Sequence, residues 1–147
     1  MTRAILSAAC AMLAVAGCSN RPAAPDLRIE GAWARATAPG QASGAAYLTI
    51  DNQGDGDDRL ATVTTPRAAT ATIHDSASDG GVMRMRMLGD LPIPAGKRVV
   101  LAPGGTHIMI APLASPLKAG ETFDLTLHFD HAGDRRVPVT VVALGAR

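Results

Sequence analysis

Between residues 27 and 142, apolar and polar side chains mostly alternate, and turn residues interrupt the alternation at short intervals. LRIEGAW places Leu27, Ile29 and Trp33 on one face. AAYLTIDN places Leu48 and Ile50 on one face and Tyr47 and Thr49 on the other. DNQGDGDD is a turn rich in Asn, Asp and Gly. ATATIHD is a β-branched run ending at His74, DSASDGG reads as a loop, and VMRMRML reads as the next strand. KRVVLAP, THIMIAP, ETFDLTLHFD and RRVPVTVVAL complete the series. In FDLTLHF, the side chains of Phe123, Leu125, Leu127 and Phe129 face one way and those of Asp124, Thr126 and His128 the other. A period of two with no segment of period 3.6 predicts antiparallel strands. About eight such strands predict an all-β fold, a Greek-key β-sandwich of two antiparallel sheets. The prolines fall mostly at expected strand ends and edges, where a missing N–H does least harm.

The pattern changes at the amino terminus. MTRAILSAACAMLAVAGCSN has a basic Arg3 followed by an apolar run too short to span a bilayer comfortably as a mature helix. Small residues before Cys18 resemble the lipobox of bacterial lipoproteins. Residues 1–17 then read as a signal peptide and Cys18 as the lipidated residue. Residues 18–26, with two prolines in SNRPAAPD, read as a tether, and residues 27–147 as the domain. Either a lipobox or an ordinary secretory signal exports the protein to the periplasm. Ser19 after the cysteine, where retention signals carry Asp, favours the outer membrane by resemblance to other lipoproteins.

Export and processing simplify the chemistry. Cys10 leaves with the signal and Cys18 is the acylated residue, so the folded domain has no thiol and no disulfide, and its stability rests on a core. Loss of Arg3 leaves 13 basic and 13 acidic side chains, a formal charge of zero, which offers nucleic acid no basic surface. Trp33, Tyr47, Phe123 and Phe129 are the whole aromatic supply, too few for base stacking. Ser43, Ser76 and Ser115 have no nucleophile context, and Gly104-Gly105 lacks what a phosphate loop requires.

Chemistry instead concentrates between residues 74 and 109. Met83, Met85 and Met87 share a strand face, as do His107 and Met109, and His74 ends the strand before the methionines. Imidazole with thioether suits copper, and thioether selects Cu(I). Calcium and magnesium want oxygen ligands, and zinc prefers thiolate, imidazole or carboxylate. A blue-copper electron-transfer site needs a cysteine that this domain lacks. For Met83 and Met87 two roles fit, gap-filling core and auxiliary metal ligand. Arg84 and Arg86 alternate away from that face. His128 and the Asp130/His131/Asp134 cluster lack a matching partner set and read as solvated or hydrogen-bonded side chains, with His131 a weak site for stray metal.

His74, ten residues, Met85, twenty-one residues, His107, one residue, Met109 resembles the H-x10-M-x21-H-x-M signature of the periplasmic copper chaperones of the PCuAC family. GAAYLTIDN, GGVMRMR, IPAG and LAPGGTHIMI extend the likeness over nearly the whole domain. The resemblance implies a cupredoxin-like sandwich that is not an enzyme. It implies one Cu(I) on His74, Met85, His107 and Met109. It further implies delivery of that ion to cytochrome c oxidase subunits, directly or through a thiol-containing copper chaperone; with the lipobox, the carrier is expected to be a lipid-anchored monomer. Copper storage or tolerance, a copper redox enzyme and a metal-free adhesion sandwich are the alternatives. Two features depart from the family: Asp75 and Ser76 stand where many members have a methionine, and VALGAR ends the chain without a His/Met-rich tail.

Overall fold

The computed structural model describes residues 22–146. The expected signal peptide and the lipidation of Cys18 lie outside the described residues, as does the first part of the tether. Ten strands follow: β1 (Leu27–Arg35), β2 (Gly44–Asn52), β3 (Asp58–Thr64), β4 (Ala68–Asp79), β5 (Val82–Leu88), β6 (Leu91–Ile93), β7 (Arg98–Leu101), β8 (His107–Leu113), β9 (Thr122–Phe129) and β10 (Gly133–Val142). They are ordered β5-β4-β8-β2-β1-β10-β9-β3-β6, with β7 continuing alongside β2. This is the all-β, cupredoxin-like architecture expected. β5, β4, β8 and β2 form one side of the sandwich and β10, β9, β3 and β6 the other, with β1 continuous between them. A Val63–Ala71 pair between β3 and β4 closes the circuit into a flattened seven-strand barrel. All strand pairs are antiparallel except β1 with β10, which runs parallel.

The inward residues are those that alternation selects. Leu48 and Ile50 of β2, Ile108 and Ile110 of β8, Leu125 and Leu127 of β9, and Val139 and Val141 of β10 are almost wholly buried. Aliphatic burial of this kind contributes about 1.5–3 kcal/mol per side chain. Two buried polar groups hold one pole. The Asn52 amide accepts from the Asp26 and Gly54 N–H groups and donates to the Gly56 and Ile93 carbonyls, so it is fully satisfied. Burial pushes the Asp58 carboxyl up. Backbone N–H donors on Arg59, His131 and Ala132 outweigh that and hold it below the usual carboxylate range.

Four details depart from the pattern-based expectation, each for a local reason. In β1 a bulge between Glu30 and Trp33, with Gly31 at φ +61°, shifts the phase of the strand. Leu27 and Ile29 still pack on the core. After the bulge Ala34 is the inward residue, and Trp33 faces outward with Tyr47. In β3 a second irregularity, between Leu60 and Thr62, places the buried Leu60 and Val63 three apart. That erases the period of two by which this strand could have been recognised. β6 is three residues long with Pro92 at its exposed centre, a permissible place for proline on an edge. DSASD is strand rather than loop: β4 runs on to Asp79. Only Gly80 and Gly81 turn, both at positive φ, as a two-residue hairpin turn of this twist requires. The segment is polar because the end of β4, paired with β5, projects as an arm with little core behind it.

Candidate metal centre

The register brings the proposed ligands onto one outer face. His74 of β4 is the cross-strand partner of His107 of β8, and Thr72 is the partner of Met109. On the other side of β4, His74 pairs with Met87 and Ser76 with Met85. Directly opposed residues point to the same face of a sheet, so His74, Met85, His107 and Met109 lie on one side. Ile73 and Ile108 between them point into the core.

A cleft of about 250 Å³ opens over this face, lined by Met85, His107 and Met109 with Tyr47, Arg35 and Leu144. His74 does not line it. Its ring is stacked on that of His107, with centroids 5.9 Å apart and planes at 25°. The cleft spans the two sides of the proposed ligand set unequally: His107 is 7% exposed and Met85 59%.

Each imidazole is held by a neighbour on its own strand or turn. His107 Nδ1 donates to the Gly105 carbonyl at 3.0 Å, since a carbonyl can only accept. That fixes the tautomer in which Nε2 carries a lone pair. The carbonyl is offered by the turn between β7 and β8, where Gly104 takes φ +80° and Ala102 N–H donates to Thr106 O. His74 Nε2 lies 2.9 Å from Thr72 Oγ1, whereas its Nδ1 is buried and has no hydrogen-bond partner. A buried N–H without an acceptor is the rarer and costlier arrangement. Nε2–H therefore donates to the threonine, and Nδ1 is a bare lone pair. Burial and the neighbouring His107 lower the pKa of His74, so its neutral, ligating form persists below the ordinary range.

Two neutral nitrogen lone pairs beside two thioethers fit a soft monovalent cation, and the orphaned His74 Nδ1 is the kind of buried atom that an ion would satisfy. Among the described residues no three His, Cys, Asp or Glu side chains group to hold a metal. A site at this face must therefore use sulfur. Of the other two histidines, His128 is occupied, and His131 donates its backbone N–H to Asp58. His128 Nδ1 sits 2.8 Å from Asp134 Oδ1 and its Nε2 3.1 Å from Thr64 Oγ1. Asp130 is taken by Arg59 at 2.8 Å. Met83 and Met87 are 60% and 64% exposed, so the gap-filling role is excluded. Arg84 and Arg86 pair with Ala77 and Asp75, off the methionine face, as expected.

Trp33 and Tyr47 are neighbours of the site that the alternation did not identify. Their rings lie 4.5 Å apart, Arg35 caps Trp33 at 5.9 Å, and Tyr47 lies 6.4 Å from His107. Tyr47 and Arg35 wall the cleft beside the histidine, and Trp33 backs them. The signal for this was Gly31 inside a strand, which marks a bulge.

Comparison with known proteins gives the same class. A copper-bound PCuAC domain from PmoF2 superimposes with a TM-score of 0.69 at 25% identity, over 80% of this chain and 93% of that one. The Cu(I) form of DR1885 from Deinococcus radiodurans gives 0.63 at 33% identity, over 86% and 83%. The fold is that of a PCuAC-type domain. The LpqE-like family model matches residues 27–141, and the chain belongs to that family. The candidate lipoprotein Lxx21020 of Leifsonia xyli subsp. xyli (strain CTCB07) is 32% identical over 119 residues, 80% of this chain and 70% of that one.

Proposed function

We propose that this domain is a periplasmic metallochaperone that carries one Cu(I) on His74, Met85, His107 and Met109 and delivers it for assembly of the copper centres of cytochrome c oxidase. The observation that carries the reading is the pair of imidazole lone pairs, His74 Nδ1 and His107 Nε2, set on one face with two thioethers. The copper-bound relatives of the same fold support it. None of the four side chains brings a negative charge, which suits a monovalent ion better than a divalent one. The unequal exposure gives a route for release. An incoming donor atom replaces the exposed Met85 sulfur while the buried His107 still holds the ion, and thioether bonds are individually weak enough to exchange. The role is that of a carrier and not of an enzyme, because two thioethers bias copper so far towards the reduced state that redox cycling is poor.

Membership of the LpqE-like family supports the reading of the amino terminus. Residues 1–17 are removed, Cys18 is acylated and residues 18–26 tether residues 27–147 to a membrane, with the outer membrane favoured. The monomer then meets oxidase subunits or a thiol-containing copper chaperone as acceptors.

Titration with Cu(I) under reducing conditions tests the site. One equivalent is expected to bind, with about 4 kcal/mol of added stability when free ion exceeds the dissociation constant a thousandfold. An unshifted melting midpoint contradicts the reading. Oxidase activity at limiting copper, with and without the gene, tests the destination; equal activity in both overturns oxidase assembly and leaves tolerance.

A further inference from the structure

The β5 strand carries more thioether than the four-ligand site uses. Met83, Met85 and Met87 are each exposed to about the same degree, 60%, 59% and 64%. Large apolar side chains are normally withdrawn from water. An exposed strand position is also better served by threonine or valine if strand formation is all that is needed. Alternation puts the three sulfurs on one face, the face shared with His74, His107 and Met109. Successive methionines are separated by about 7 Å along the strand. β5 ends the strand order, with β4 on one side and its other edge open among the described residues. An approaching partner therefore meets this row of sulfurs before it meets the histidines. Met87 lies directly across from His74, and Met83 across from Ser78 near the Gly80-Gly81 turn.

We propose that Met83 and Met87 are transient stations for a soft monovalent ion on either side of Met85. Each captures Cu(I) at the arm and passes it to or from the histidine site. The inference rests on the copper-carrier reading above. Each step forms one metal–sulfur bond as another breaks. No electron moves and no proton is released, because a thioether binds without deprotonation. The resting ion remains on His74, Met85, His107 and Met109, so the row governs how fast the ion moves rather than how tightly it is held.

The test replaces sulfur by carbon at both stations, Met83→Leu with Met87→Leu, in the otherwise intact domain. Leucine keeps the bulk, and an unchanged apo melting midpoint establishes that the arm is intact. Cu(I) transfer to the chelator bicinchoninate is followed by stopped flow, and affinity by competition with the same chelator. Transfer is expected to slow about tenfold while stoichiometry stays at one ion and affinity changes less than about threefold. In the native domain, Ag(I) below one equivalent is expected to broaden the methyl signals of Met83 and Met87 as well as those of Met85 and Met109. Unchanged transfer and silent Met83 and Met87 signals overturn the proposal. An affinity loss of about a hundredfold also overturns it, because the two would then be resident ligands. If the native domain binds no Cu(I), the carrier reading fails. If it binds one ion and only the rate prediction fails, the stations alone are wrong.

Discussion

Two histidine corners of the barrel have the same residue type and opposite outcomes. At His128, both ring nitrogens are engaged: Nδ1 by Asp134 at 2.8 Å and Nε2 by Thr64 at 3.1 Å. At the His74–His107 pair, each ring uses one nitrogen on a neighbour and keeps the other as a lone pair. The first corner is a closed network with an exposed carboxylate. The second is a set of unmet valences beside two sulfurs. What marks a metal site is the unsatisfied donor, not the histidine.

The largest test of that contrast exchanges the corners. His107→Ala is expected to weaken Cu(I) binding by at least about a hundredfold, more than loss of a supporting hydrogen bond would. His128→Ala is expected to leave affinity unchanged. Competition with a Cu(I) chelator measures both, and equal losses would erase the distinction. Next in size is Thr72→Val, which removes the partner that sets the His74 tautomer. About a tenfold loss of affinity is expected, with the apo fold retained.

A pH series separates the corners further. The folded-state pKa of His74 lies below its unfolded value, so the unfolded chain takes up a proton that the folded chain resists. This residue therefore adds nothing to the pH dependence of stability well above its unfolded pKa, near 6.5. Its contribution falls as pH drops below that value towards the folded pKa. Apo stability is expected to decline with acid in that window, and His74→Asn to flatten the decline. Denaturant midpoints between neutral and mildly acid pH measure it. The smallest expected effect is at the closed corner. Asp134→Asn weakens a contact whose carboxylate is 69% exposed, and such exposed contacts contribute about 0–1 kcal/mol.

The alternation made the inward faces of β2, β8 and β9 legible, because a sheet with one buried face imposes a period of two on its sequence. The same rule paired Met85 with its arm and His107 with Met109. It failed where the backbone gained a residue. The Gly31 bulge moved Trp33 from the expected core face onto Tyr47 and Arg35, behind the wall of the cleft. The irregularity at Leu60–Thr62 hid β3 altogether. It also failed where there was no core to report on, since the polar end of β4 reads as a loop although it is a paired strand. The four-residue spacing named the candidate ligands, but spacing carries no information on tautomers. The free nitrogens of His74 and His107 emerged only from hydrogen bonds to Thr72 and Gly105, residues that carry no metal chemistry of their own.

In the proposed carrier, two imidazole nitrogens and two thioether sulfurs from β4, β5 and β8 surround one Cu(I). X-ray absorption at the copper edge of the singly loaded domain reads this set of neighbours. A Cu(I) edge with two nitrogen and two sulfur neighbours is expected, with loss of one sulfur neighbour in Met109→Leu. A first shell of oxygen and nitrogen alone, unaltered by that substitution, would contradict it.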